Sequence, residues 1–188
     1  MKVNIGVSAR HVHVTKDDVK ILFGEGYKLT KKVDLSQPFQ FACNEQVTIK
    51  GSKGEIQRVR ILGPERSKTQ VEVSKTDSFK LGINPPVRNS GDLDDAVEIT
   101  IIGPKGQITK NAAIIAARHL HIDPKTAKEL NLSNDDYVKV KVSGEKPGIL
   151  ENVYVRVDEN FVYEVHLDTD DANAFLIKQG DEAELIID

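Results

Sequence analysis

Hydrophobic residues along this chain fall in short runs rich in Val and Ile. They are Val3 to Val7, Val47 to Ile49, Ile56 to Leu62, Val71 to Val73, Val97 to Ile102, Val138 to Val142, Val153 to Val157, Phe161 to Leu167 and Ala183 to Ile187. Gly, Pro, Asn and Asp separate the runs, a spacing that predicts barrels or sandwiches of strands rather than βαβ units. Turns are expected at Lys53-Gly54, Gly63-Pro64, Pro85-Pro86, Gly103-Pro104 and Lys105-Gly106. Three segments switch to a helical pattern, each behind a capping residue. Thr15 precedes a helix carrying Val19, Ile21, Leu22 and Phe23. Asp123-Pro124 opens Lys125 to Leu130, with proline where its missing N–H costs nothing, and Asp168 or Thr169 opens Asp170 to Leu176.

The pattern repeats. Ala9-Arg10-His11-x-His13 recurs 108 positions later as Ala117-Arg118-His119-x-His121, and each copy runs strand, His-x-His, cap, short helix. ITIIGPKGQI (99–108) and VTIKGSKGEI (47–56) look like equivalent hairpins. Residues 123–144 and 168–187 share an acidic cap, a short helix, a polar turn and a strand, a unit resembling half of a double-psi-type barrel. The expected fold is mainly β: two related β-barrels with short capping α-helices, fused by exchanged strands because no Gly/Ser or Pro-rich linker separates them.

Composition narrows the function classes. A chain of 188 residues suits two domains of ordinary size. The net charge of −3, with both signs mixed, offers no basic stripe, and tryptophan is absent, so nucleic acid is not an expected partner. No stretch approaches the ~20 apolar residues of a membrane span. A single cysteine, Cys43, cannot form an internal disulfide, which fits a reducing cytoplasm.

The five histidines are His11, His13, His119, His121 and His166. Residues i and i+2 of a strand project to one side, so each His-x-His sets two imidazoles together, a chelating geometry. Imidazole ligands without thiolates make zinc the first choice. The count exceeds one tetrahedral ion, so two ions with an open position are expected. Glu72, polar between Val71 and Val73, is the leading carboxylate partner, though a solvated strand face explains it too. Glu164, two before His166, is its rival, while Asp168 reads better as a helix cap. Arg10 and Arg118 point away from the histidines and suit structural pairs or contacts between barrels. Arg66, in the turn GPERSKTQ, can fork onto phosphate oxygens. The long Gly/Pro-punctuated loop from Gly82 to Asp92 suits a ligand-facing role or an ordinary connection. No phosphate-binding glycine loop, dinucleotide fingerprint or His-Glu-x-x-His helix occurs. Cys43 reads as a small core residue.

SARHVHVT, ILGPERSKTQVEVSKTD, INPPVRNSGD, AARHLHID and VHLDTDDANA, in that order, resemble the PduL-type phosphate acyltransferases (phosphotransacylases) from Val7 to Leu185. The resemblance implies the reaction acyl-CoA + phosphate ⇌ acyl phosphate + CoA, with propanoyl or acetyl groups, at a dinuclear zinc site. It implies His11 and His13 as ligands of one zinc, with room for the CoA sulfur, and Glu72, His119, His121 and His166 as ligands of the other. It implies Arg66 as the phosphate-binding catalytic residue, and Phe79, Ser90 and Ala116 as lining the CoA site. It also suggests residues 1–9 plus 117–188 as one barrel and 10–116 as the other, with a small inserted segment near 24–44. Val3 already lies in the first strand, so no amphipathic microcompartment-targeting extension is expected, favouring a free cytoplasmic enzyme; a homodimer is the expected oligomeric state. The alternatives are a dinuclear zinc hydrolase acting on acyl phosphates or thioesters, and a non-enzymatic metal-stabilised module.

Overall fold

The computed structural model describes residues 1–187. The chain runs β1 (Lys2–Ser8), β2 (His11–His13), α1 (Lys16–Phe23), β3 (Lys31–Asp34), β4 (Phe41–Lys50), β5 (Glu55–Gly63), β6 (Gln70–Glu72), α2 (Lys75–Leu81) and β7 (Val87–Arg88). It continues through β8 (Val97–Ile102), β9 (Gln107–Ala116), β10 (His119–Ile122), α3 (Pro124–Glu129), β11 (Tyr137–Val142), β12 (Gly148–Val157), β13 (Glu164–Asp168), α4 (Thr169–Ala174) and β14 (Glu182–Ile186). The protein is mainly β, built as two closed six-stranded barrels with short helices.

Two compact units emerge. One holds residues 1–9, 36–38 and 117 onward; the other holds 10–35 and 39–116. In the first unit the ring is β10–β12–β11–β14–β1–β13 and back to β10. In the second it is β2–β5–β4–β8–β9–β6 and back to β2, with β3 and β7 attached outside the ring. The two rings have the same pairing pattern. β2 is parallel to β5 and antiparallel to β6, as β10 is parallel to β12 and antiparallel to β13. β6 runs parallel to β9 as β13 runs parallel to β1. The first strand, β1, therefore completes a barrel whose other strands come from the C-terminal half, and β9 is its counterpart in the other barrel.

Each barrel also divides into two like halves of strand, helix, strand, strand: β2-α1-β4-β5 with β6-α2-β8-β9, and β10-α3-β11-β12 with β13-α4-β14-β1. This is the half-barrel unit read from residues 123–144 and 168–187. The helices start where small polar caps stand. The Thr15 side chain accepts from the Asp18 N–H, Asp123 from Lys125 and Thr126, and Asp168 from Asp171. Sequence reading found three helices, and the structure adds α2. Its signal was present as Ser74-x-x-Asp77, a reciprocal capping box.

The GSKG and GPKG turns explain their own composition. Lys53 N–H donates to the Leu81 carbonyl ending α2, and Lys105 N–H donates to the Leu22 carbonyl ending α1. A Cβ on Gly54 would stand 2.7 Å from the Lys80 carbonyl oxygen, and one on Gly106 would stand 2.7 Å from that of Ile21. These turns therefore satisfy orphan carbonyls at a helix end, and only glycine fits. They are structural rather than ligand-binding. Inside each barrel alternate aliphatic residues, mostly β-branched, close the core: Val12, Ile49, Ile61, Val71 and Ile101 in one, Ile5, Leu120, Val140, Val155 and Val165 in the other. Each contributes about 1.5–3 kcal/mol on burial.

Candidate functional site

β2 and β6 build one cluster in the second unit. His11 and His13 project together, their rings 4.9 Å apart and nearly perpendicular. The antiparallel register sets His11 opposite Glu72 and His13 opposite Gln70, which brings Glu72 Oε2 to 3.4 Å from His11 Nε2. Ligand atoms of His11, His13 and Glu72 lie within 4.8 Å of one another, and all three residues are buried. Glu72 Oε1 accepts hydrogen bonds from Gln70 Nε2 at 2.6 Å and Ser90 Oγ at 3.0 Å. Arg66 Nη1 in turn donates to Ser90 Oγ at 3.3 Å. His13 Nδ1 is buried without a hydrogen-bond partner. Burial, helped by neighbouring His11 and Arg66, pushes the His13 pKa well below 6.5, so its ring is neutral and offers a lone pair.

The first unit carries the counterpart. β10 and β13 set His119 opposite His166 and His121 opposite Glu164. The three imidazole centroids are 4.5–5.0 Å apart, and their ligand nitrogens again fall within 4.8 Å of one another. His119 Nδ1 sits 2.9 Å from the Ala117 carbonyl, which holds that nitrogen as the donor and leaves Nε2 basic. His121 stacks on Phe161 at 4.0 Å, and neither of its ring nitrogens has a hydrogen-bond partner. Burial, with His166, His119 and Arg156 adding to it, drives the His121 pKa down. Glu164 accepts from His166 Nε2 at 2.7 Å, Ser36 Oγ at 2.5 Å and Gln37 Nε2 at 3.3 Å. Burial pushes its pKa up, but the bonds from His166 and Ser36 outweigh burial and hold it below the usual carboxylate value.

Buried polar nitrogens without partners are costly. Three such nitrogens belong to histidines of these two triads, His13 Nδ1 and both ring nitrogens of His121, and a cation held by neutral imidazoles would take up one lone pair from each ring. The donor set of nitrogen and carboxylate oxygen fits zinc, with three protein ligands and one position left open. The triads occupy the same position in the duplicated ring: His11, His13 and Glu72 correspond to His119, His121 and His166.

The family resemblance placed Glu72 with His119, His121 and His166, whereas the structure groups its carboxylate with His11 and His13. Glu72 is also no solvated face residue, because β6 is covered on both sides. Ser90 joins the Glu72–Arg66 cluster. Phe79 lies elsewhere, 70 % exposed on α2 beneath the Lys75 ammonium, and Ala116 ends β9 opposite Arg88. Arg10 and Arg118 form structural pairs with first-turn carboxylates of α2 and α4, Asp77 at 2.9 Å and Asp171 at 2.7 Å. Cys43 is a core residue, its thiol pushed up to about 12 by burial. Sequence reading missed Gln70, Ser36 and Gln37. The signal for Gln70 was Gln70-Val-Glu72 at the same spacing as Glu164-Val-His166.

Similarity to known proteins agrees with this chemistry. The sequence profile of phosphate propanoyltransferase matches residues 4–178. A phosphate propanoyltransferase of Priestia megaterium is 55 % identical over 180 residues, covering 95 % of this chain and 83 % of that protein. The Thermotoga maritima enzyme of that name is 51 % identical over 179 residues, covering 94 % of this chain and 85 % of its own. The one from Rhodopseudomonas palustris is 49 % identical over 181 residues, covering 96 % and 80 %. With duplicated histidine strands, a clustered arginine and similarity along nearly the whole length, the chain belongs to the phosphate propanoyltransferase family of acyl-group transferases.

Proposed function

We propose that this enzyme interconverts acyl-CoA plus phosphate with acyl phosphate plus CoA, using propanoyl or acetyl groups, with one zinc ion in each triad. The observation that carries the reading is the cluster of Arg66, Ser90, Glu72, His11 and His13, a phosphate-competent cation beside a three-ligand metal position. Bound zinc would supply Lewis acidity and stabilise the CoA thiolate near neutral pH. His11, His13 and Glu72 would hold one ion; His119, His121 and His166 would hold the other.

Arg66 orients phosphate toward the thioester carbonyl, and Ser90 fixes the guanidinium relative to Glu72. The C–O bond to phosphate forms as the C–S bond breaks, the electron pair leaving on sulfur. No side-chain nucleophile takes part. Cys43 is buried and protonated at neutral pH, so acyl transfer is direct, within a ternary complex. Phe79, Ser90 and Ala116 serve as CoA contacts, and the working state is a cytoplasmic homodimer. No helix among the described residues is long and apolar enough to cross a membrane.

The test is thiol release from propanoyl-, acetyl- and butanoyl-CoA with and without phosphate, alongside zinc content. Phosphate-dependent release with two zinc ions per chain supports the reading. Equal release without phosphate would make the protein a hydrolase, and parallel-line kinetics with a trapped acylated residue would exclude direct transfer.

A further inference from the structure

The duplicated barrels place a fourth residue beside each triad, at the same point of the ring. Gln70 stands opposite His13 and two residues before Glu72; Glu164 stands opposite His121 and two residues before His166. We propose that Gln70 and Glu164 are positioning residues matched to the third ligand of each metal site: a hydrogen-bond donor where that ligand is a carboxylate, an acceptor where it is an imidazole. The proposal rests on the reading of both triads as metal sites.

The amide of Gln70 can be oriented only one way. Its Oε1 accepts the Gly91 N–H at 2.8 Å, so its Nε2 must be the atom facing Glu72 Oε1 at 2.6 Å and Ser90 Oγ at 2.9 Å. A charge-assisted N–H···O⁻ bond holds one carboxylate oxygen and leaves Oε2, the atom nearer His11, directed at the ligand position. In the other barrel, Glu164 has only acceptors to offer. Held by Ser36 and Gln37, its carboxylate requires that His166 Nε2 carry the proton, which leaves Nδ1 with the lone pair. A carboxylate behind a metal-binding imidazole fixes the tautomer and raises ligand basicity.

The rest of each site follows the same division. Each four-residue set carries one carboxylate, as a ligand in one barrel and behind a ligand in the other. β1 accommodates the second arrangement with Gly6, since a Cβ there would stand 3.0 Å from the Glu164 carboxyl carbon. The equivalent position beside Glu72 holds Ile114, where no second carboxylate needs room.

The experiment swaps the pairs. In zinc titrations of the full chain against a competing chelator, Gln70→Glu sets two carboxylates face to face and should weaken one of the two sites by about 10- to 100-fold. Adding Glu72→His to it rebuilds the Glu-Val-His set of β13 and should recover affinity to within a few-fold of the parent. Glu164→Ala should weaken the other site by a similar factor, and Glu164→Gln, whose amide oxygen still accepts, should recover most of it. The second readout needs no metal: ¹⁵N ring shifts of His166 in the metal-free protein should report the Nε2–H tautomer, changing to a mixture in Glu164→Ala. A double variant no tighter than Gln70→Glu, or a His166 tautomer indifferent to Glu164, would overturn the proposal. A parent protein that binds fewer than two zinc ions would instead remove the metal reading beneath it, which the tautomer measurement distinguishes.

Discussion

Arg66 and Glu72 are six residues apart, touch the same serine and carry different assigned work, so replacing each with alanine separates phosphate binding from metal binding. Glu72 is 8 % exposed, accepts two hydrogen bonds and pairs with His11. Glu72→Ala removes one ligand of three and leaves Gln70 and Ser90 without their acceptor. Zinc content should fall from two ions toward one. A ligand at 1,000 times its dissociation constant stabilises the fold by about 4 kcal/mol, and at roughly 2–4 °C per kcal/mol for a chain of this size its loss lowers Tm by about 8–16 °C. Arg66→Ala removes no metal ligand; it breaks a long charge-assisted hydrogen bond to Ser90 at 3.3 Å, of a kind worth about 1.5–3 kcal/mol, so zinc content should hold and Tm should fall less than in Glu72→Ala. Its loss is felt in turnover, where losing a charge-assisted contact in a desolvated site costs about 2–5 kcal/mol, or roughly 30- to several-thousand-fold in kcat/KM. Zinc per chain, a melting curve and phosphate-dependent kinetics on both variants decide it. If Arg66→Ala loses metal, or Glu72→Ala keeps two zinc ions, the roles are misassigned.

Three further outcomes follow from the same geometry. Burial lowers the pKa of His13 and His121 below 6.5, so the unfolded chain binds more protons than the folded one at acid pH; in chelator, stability should drop as pH falls below about 6.5, by up to ~1.4 kcal/mol per pH unit for each histidine. A flat urea-denaturation midpoint from pH 7.5 to 5.5 would contradict this. Cys43, buried and with its thiol raised to about 12, should resist thiol reagents at pH 8 until the protein is denatured, and stoichiometric labelling of native protein would refute its core placement. Gly106→Ala forces a methyl against the Ile21 carbonyl and should cost about 1–3 kcal/mol in chemical denaturation, whereas Gly144→Ala, at an open turn, tests only backbone strain and should cost less.

Much of this was legible because the duplication is written twice. The Ala-Arg-His-x-His strands, their caps and the half-barrel spacing of residues 123–144 and 168–187 all carried over, since a cap and an alternating strand are local patterns. What stayed hidden depends on register. Whether Glu72 faces His11 or solvent is fixed by how β6 pairs with β2 and by what covers its far side, and neither is encoded within six residues of it. Gln70 gains its place beside the histidines only from the antiparallel pairing that sets it against His13. Ser36 and Gln37 reach Glu164 across 128 and 127 residues of sequence, a separation no local periodicity can report.

The exchange of β1 has a consequence for the order in which the protein is made. Every strand of the ring that contains His11 lies between residues 11 and 116, so that barrel can close while the remainder is still being synthesised. The ring that contains His119 cannot. Its partners for β1 are β13 and β14, so the first strand waits unpaired for more than 150 residues, on the order of ten to thirty seconds at ~5–20 residues per second. An unpaired edge over that interval invites pairing with another chain. β1 meets that hazard with a lysine and an asparagine on its exposed side, and pairing with β13 and β14 then removes the open edge.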